Sequence, residues 1–241
     1  MAVLAHPDIV SEAVASNGMW EVSGVDGMAS RAQAQLPASG TFLDIGANLG
    51  YYSLLFAKKG YQVIAVEPSS HNRMAIEASL CMNPDIAGLV KVVPVALADK
   101  QEVNNTRCVL RSTNIQINIG NMFLSCGDIG AVKPCGPSEI ACEEVPVRTL
   151  DSVLAELQPS SIDAVKIDIE GHECKVLASG GSLFSKYAPK LVQVETNVGD
   201  SLNCVKHSAA SFSYQVRSLG GDTALIPALK LHLFLTQTQP V

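Results

Sequence analysis

The stretch "TFLDIGANLGYYS", residues 41–53, constrains the fold more than any other part of the chain. It runs from a short apolar segment through an acid, Asp44, into a turn bracketed by Gly46 and Gly50, and then into a helix-like segment. Apolar runs of this length read as buried strands. Glycines after such a strand let the backbone reverse tightly and let a ligand approach without meeting a Cβ. A strand, a glycine turn and a helix in that order make the opening unit of an α/β sheet.

The rest of the chain repeats that unit. "YYSLLFAKKG" has helical spacing and stops at Gly60; "YQVIAVEP" is a second strand closed by Pro68; "SSHNRMAIEASLCMN" opens on serine caps and is predicted helical. "LVKVVPVALAD" reads as a third strand with a bulge at Pro94. Further on, "LDSVLAELQ" and "HECKVLASGGSLFSKY" are predicted helices, while "SIDAVKIDIEG", "KLVQVETN" and a final "LKLHLFLT" are predicted strands. This alternation implies an α/β, doubly wound and mostly parallel sheet with helices on both faces.

A length of 241 residues suits one such domain. Within it, residues 1–40 are expected to form a helical cover, 41–99 the cofactor-binding half, 104–146 a hairpin-like insertion, and 147–241 the second half of the sheet. Met19 and Trp20 are expected to close the cover onto the sheet. Tyr51 and Tyr52 are expected to pack the first helix, and "NIQINIGN" reads as a hairpin turn that either stays clear of the cleft or reaches it.

In open sheets of this kind, ligands sit at the C-terminal ends of the strands. Glu67 ends the second strand about twenty residues after the turn, the distance at which a carboxylate meets a ribose diol. A dinucleotide and S-adenosylmethionine both satisfy that much. Asp44 separates them. A pyrophosphate at this turn would face a carboxylate, and like charges about 4 Å apart cost on the order of 1 kcal/mol in water and more in a low dielectric. The middle glycine of GxGxxG is also replaced, by Asn48. S-adenosylmethionine carries an ammonium and a sulfonium, for which Asp44 is an attraction. The competing reading of Asp44 and Gly50 is a helix cap and a packing contact.

At these residues the chain resembles the FkbM-type methyltransferases, a family of S-adenosylmethionine-dependent Rossmann-like enzymes. The resemblance is carried by "FLDIGANLGYYSLLFAKKG", "VIAVEPSSHN", "VPVALADK", "VRTLDSVL" and "IDAVKIDIEGHECKVL", in the family's order over most of residues 42–177. It implies a Rossmann-like seven-stranded, mostly parallel sheet of the class I methyltransferase type, and methyl transfer, usually to oxygen. It also implies that Asp44, Gly46, Asn48 and Gly50 line the methionine end of the cofactor, that Glu67 takes the ribose hydroxyls, and that Asp99 lies near the adenine amino group. The insertion and the segment after Asn197, which would shape the acceptor pocket, match it only loosely.

"KIDIEGHE" places Asp168, Glu170, His172 and Glu173 together where the fourth strand meets the next helix. Alternation puts Asp168 and Glu170 on one side of a strand. Three readings stand. Asp168 or His172 takes the proton of an acceptor hydroxyl. Alternatively, Asp168, Glu170 and His172 hold a divalent ion, the less favoured reading. Or the group is structural, with Glu170 capping the helix and His172 and Glu173 at the surface. Glu195, at the tip of the fifth strand, is a further candidate for the acceptor pocket or an exposed strand end.

A net charge of −6 and a pI near 5.3 disfavour nucleic acid and anionic membrane surfaces as partners, leaving a small-molecule acceptor. Seven cysteines without a close pair read as buried free thiols of a reducing, cytoplasmic protein; the competing reading is a metal cluster of Cys126, Cys135 and Cys142. The N-terminus has no secretory pattern, no run is long enough to span a membrane, and Asn104 opens an isolated glycosylation sequon. Two rivals to a methyltransferase remain: a dinucleotide-dependent oxidoreductase, and a methyltransferase-like binding module without turnover.

Overall fold

The computed structural model describes residues 1–4, 8–104, 106–112, 118, 121–128, 130–137, 139, 141–197 and 200–228. The chain runs α1 (Ile9–Asn17), α2 (Val25–Ala32), β1 (Thr41–Ile45), α3 (Tyr51–Lys58), β2 (Gln62–Val66), α4 (Ser70–Met82), α5 (Pro84–Ala87) and β3 (Val90–Val93). The middle holds β4 (Ala96–Leu97), α6 (Lys100–Val103), β5 (Thr106–Arg111), β6 (Phe123–Asp128), β7 (Cys142–Glu144), β8 (Val147–Arg148) and α7 (Leu150–Leu157). It finishes with β9 (Ala164–Ile167), α8 (Glu173–Ala178), a π-helical turn (Leu183–Tyr187), β10 (Leu191–Glu195), α9 (Ser201–Ser211), β11 (Tyr214–Ser218) and β12 (Asp222–Pro227).

The main sheet has seven strands in the order β11-β12-β10-β9-β1-β2-β3. Five of them, from β10 to β3, pair in parallel, and β12 and β11 add antiparallel pairings at one edge, so the sheet is mixed. The parallel strands are apolar on both faces because both are covered. Leu43, Ile45, Val165, Ile167, Val192 and Val194 face α7, α8, the π turn and α9, which contribute Leu154, Val176, Phe184 and Val205. Phe42, Val63, Ala65, Ala164 and Leu191 face the other way, onto Met28 of α2 and Tyr52 and Phe56 of α3. Phe42 and Phe56 stack there with ring centroids 3.6 Å apart.

Pro94 does more than bulge a strand. It has no amide to give the ladder, and the predicted third strand divides into β3, in the main sheet, and β4, which pairs in parallel with β8. The insertion is a small antiparallel sheet, ordered β6-β5-β7. The predicted strand "LKLHLFLT" lies outside the described residues. Met19 is exposed and does not close the N-terminal cover. Its neighbour Trp20 packs against Val10, Leu49 and Ala75.

The free thiols expected from the sequence are not what the structure holds. Cys108 bonds Cys126 across β5 and β6, Cys135 bonds Cys142, and Cys174 of α8 bonds Cys204 of α9. Cys81, exposed on α4, keeps its thiol. Pairing Cys126 and Cys135 with different partners also removes the metal cluster, since a disulfide sulfur is no thiolate ligand. Among the described residues no helix is long and apolar enough to cross a membrane.

Candidate active site

The glycine turn is tied to the neighbouring strand: the amides of Gly46 and Ala47 donate to the Val66 carbonyl at 3.0 and 3.2 Å. Gly46 has φ +79°, and a Cβ there would stand 1.9 Å from the backbone oxygen of Asp168. The two sequence motifs, distant along the chain, therefore meet at the tips of β1 and β9. Gly50, at φ +82°, begins α3 and packs on Ile76. Glu67 reaches back over the turn: its Oε2 accepts from the Asn48 amide and its Oε1 from the Ser69 amide, both at 2.8 Å. Burial pushes its carboxyl up to about 7 against those hydrogen bonds.

Asp44 is 1% exposed and accepts a hydrogen bond from the Ser53 hydroxyl at 2.7 Å. Burial raises its carboxyl to about 6, although Lys166 pulls the other way. That lysine was passed over in the sequence. Asp44 and Lys166 are direct partners across the parallel β1–β9 pair, and both side chains leave on the α3 face. Lys166 is 6% exposed; its Nζ lies 2.5 Å from Asp168 Oδ2 and 5.0 Å from the centre of the Tyr52 ring. Burial works against its charge, but Asp168, Asp44 and Glu21 outweigh that and hold its pKa above the ordinary lysine value. The signal that could have found it is alternation with Ala164, which places it in a row with Asp44 and Gln193.

Both tyrosines fasten the N-terminal segment over this row. The Tyr51 hydroxyl donates to the Val22 carbonyl and the Tyr52 hydroxyl to Glu21, each at 2.7 Å. Trp20 and Glu21 thereby join the cavity wall.

The second constellation splits. Asp168, Glu170 and Glu195 bring carboxylate oxygens within 4.8 Å of one another at the tips of β9 and β10. Burial tends to raise Asp168, but the Lys166 charge overrides it and holds that carboxyl below its ordinary value. Glu195 is pushed up to about 9 by burial and by Asp168 and Glu170, and its proton is donated to Asp168. One ammonium and one proton thus offset two of the three carboxylates, and the group keeps a negative charge and the spacing to hold a cation. Glu170 has φ +54° and faces Asn121 of the insertion; burial and Asp168 raise its carboxyl.

His172 is not part of that group. Its Nε2 faces Glu102 at 3.8 Å and Lys175 at 3.5 Å, and burial together with the Lys175 charge lowers its pKa, so the ring is neutral near pH 7. Glu170 does not cap α8, whose N-terminus has no side-chain cap; Glu173 instead folds back on the preceding loop, its buried carboxylate accepting from the amides of Ile169 and Gly171 at 3.0 and 3.2 Å. Asp99 stands at the N-terminus of α6, where Oδ1 accepts from the Gln101 and Glu102 amides; it is not among the residues that line the cavity.

What these residues enclose is a cavity of about 440 Å³. Asp44, Gly46, Asn48 and Glu67 line one end with apolar walls from Val66, Pro68, Val95 and Leu97. Asp168, Glu170, His172 and Glu195 line the other, where Asn121 of the insertion faces Glu170; Leu110 and Leu124 of the insertion pack beside Ala96, next to Val95 and Leu97. A volume of this size takes a ligand of nucleoside dimensions with a small second molecule beside it.

A parallel five-strand core with an antiparallel edge and a cavity across its strand tips defines a class I methyltransferase-type α/β protein. Residues 44–208, more than half of the chain, match the methyltransferase FkbM domain, and the chain belongs to that family. Among solved structures it is similar to the methyltransferase FkbM from Methylobacillus flagellatus KT, at 18% identity and a TM-score of 0.53, with 80% of this chain aligned to 44% of that one. A METTL16 methyltransferase domain follows at 15% identity and a TM-score of 0.49, covering 85% of this chain and 65% of that one. The precorrin-6Y C5,15-methyltransferase from Geobacter metallireducens GS-15 has 12% identity and a TM-score of 0.46, covering 85% and 88%. The chain spans less than half the length of the FkbM structure it matches. A comparison with curated proteins gave no match.

Proposed function

We propose that the chain transfers a methyl group from S-adenosylmethionine to a hydroxyl oxygen of a small, uncharged acceptor such as a sugar. The observation that carries this reading is that two carboxylate sets, one at the tips of β1 and β2 and one at the tips of β9 and β10, line one cavity. The cofactor end fits the group in its donor set. Asp44 suits an α-ammonium, and Glu67 suits a ribose diol. The buried Oδ1 of Asn48 has no hydrogen-bond partner among the described residues and lies in the cavity wall. The apolar strip of Val66, Pro68, Val95 and Leu97 suits a purine.

When bound, S-adenosylmethionine supplies a methyl group on a sulfonium that needs no further activation. The chain's own work is to hold and to move a proton. Collinear placement of the acceptor oxygen contributes several kcal/mol. Asp168 accepts the hydroxyl proton as the new carbon–oxygen bond forms and the carbon–sulfur bond breaks. Glu195, already protonated, steadies Asp168 by donating to it. Such assistance is worth about 10²- to 10⁴-fold for a base matched to the working pH, and less for Asp168, whose basicity Lys166 reduces. Neutral His172 and the amides of Asn118 and Asn121 are left to orient the acceptor. Three carboxylates at this end disfavour an anionic acceptor. Six cysteines in disulfides favour work in an oxidising compartment over a cytoplasmic one.

Calorimetry with S-adenosylhomocysteine and with NAD tests the cofactor half; binding of NAD alone rejects it. Release of S-adenosylhomocysteine across a panel of hydroxylated acceptors tests the other half. Turnover with a carboxylic acid and none with any alcohol rejects the hydroxyl assignment. Cofactor binding without turnover on any acceptor supports the binding-module alternative.

A further inference from the structure

Lys166 is a buried cation set between the two ends of the cavity. Asp44 is its partner across β1, and Asp168 its contact two residues along its own strand. Other titratable groups face it from each packed element: Tyr52 of α3 under the ammonium, Glu21 of the N-terminal segment, Asp222 of β12, and Glu170 of the loop after β9. No other lysine or arginine lines the cavity among the described residues.

We propose that Lys166 is a positioning residue shared by both ends of the site, one ammonium that fixes Asp168 at the acceptor end and balances Asp44 at the cofactor end. This rests on the methyltransferase reading above. Its consequence is linkage. Lys166 attracts both carboxylates while ionised Asp168 repels Asp44, so the proton status of the acceptor carboxylate alters binding at the cofactor carboxylate. The charge balance of the reaction uses the same device. The positive charge that disappears with the sulfonium is replaced by the proton arriving on Asp168, and Lys166 remains fixed between them.

The test is the pH dependence of S-adenosylhomocysteine binding, followed by calorimetry from pH 5 to 9 in the wild type, Lys166→Met, Lys166→Arg and Asp168→Asn. In Lys166→Met the acid midpoint moves upward by about one pH unit, because Asp44 loses its cation. Asp168→Asn moves it downward by about half a unit, because Asp44 loses a repelling carboxylate and keeps the lysine. Lys166→Arg stays near the wild type. The Glu67 contribution to the profile is common to all four, since Lys166 is not among the charges acting on it. A uniform loss of affinity with an unmoved midpoint is what a merely structural lysine gives, and it overturns the proposal. Should Lys166→Met not fold, an unmoved midpoint in Asp168→Asn overturns it alone. Failure of the wild type to bind at any pH overturns the methyltransferase reading, and this proposal with it.

Discussion

Glu67 accepts a hydrogen bond from the Asn48 amide, 2.8 Å across the glycine turn, and so ties the tip of β2 to the loop after β1. Its other oxygen accepts from Ser69, at the entry to α4. One buried carboxylate thus fixes three elements while lining the cavity. In Glu67→Gln a single acceptor oxygen must serve two amides, and the new NH₂ meets a donor. Leaving a buried donor unsatisfied costs about 1–3 kcal/mol. Denaturant unfolding is expected to show that loss, and calorimetry at least a tenfold weaker S-adenosylhomocysteine complex, about 1.4 kcal/mol.

The same burial makes stability depend on pH. Asp44 rises from 3.8 to about 6 and Glu67 from 4.5 to about 7, so the folded chain holds both protons more tightly than the unfolded one. Their contribution is fully present below about pH 4 and is lost as pH rises to 7. At about 1.4 kcal/mol per unit, the loss amounts to a few kcal/mol for the two together. Unfolding of the ligand-free protein between pH 5 and 8 should show a downward slope that Asp44→Asn makes shallower. S-adenosylhomocysteine favours the ionised forms, so its binding should release protons, read as a dependence of the binding enthalpy on buffer ionisation.

The parts of this architecture that could be read in the sequence are those with local causes. β1, β2, β9 and β10 are buried on both faces and announce themselves as apolar runs; Glu67 follows from its distance to the turn. Lys166 has no local signature in "KIDIEGHE" because its meaning comes from Asp44 on the neighbouring strand. The disulfides join residues 18, 7 and 30 apart, and only the fold brings those partners together. β11 escapes because an edge strand gives no buried apolar run: of Tyr214–Ser218 only Tyr214 is buried, and Gln215, Val216 and Ser218 are exposed. Asp99 resembles a ligand in sequence; the fold adds that its Oδ1 accepts from two amides of α6.

Glycines 46 and 50 offer a graded test of the turn. Both have positive φ, so alanine is strained at either. At Gly50 the added Cβ meets the side chain of Ile76 at 2.9 Å, and a rotamer change relieves it. At Gly46 it meets the backbone oxygen of Asp168, which belongs to the β9 tip and has nowhere to go. Gly50→Ala is expected to cost about 1–3 kcal/mol in denaturant unfolding. Gly46→Ala should cost more than about 4 kcal/mol, or leave no soluble protein, because it separates β1 from β9. Equal losses at the two positions would contradict the close approach of turn and strand.

The disulfide between Cys174 and Cys204 lies behind the acceptor end. Cys174 lies in the first turn of α8, directly after the Asp168–Glu173 loop, and Cys204 lies in α9 behind it. Closing a loop of 30 residues restricts the unfolded chain by about 3–4 kcal/mol in the entropic account. The double variant Cys174→Ser, Cys204→Ser should lose stability of that order by denaturant unfolding. The cofactor end is built on β1, β2 and the glycine turn, which the bond does not touch, so S-adenosylhomocysteine affinity at 25 °C should change less than threefold, about 0.6 kcal/mol. Turnover on any acceptor found by the release assay should fall further than that affinity, since the loop bearing Asp168 and Glu170 loses its anchor. An affinity loss as large as the loss of turnover would place the two ends of the cavity on one rigid body, and the division drawn between them would fail.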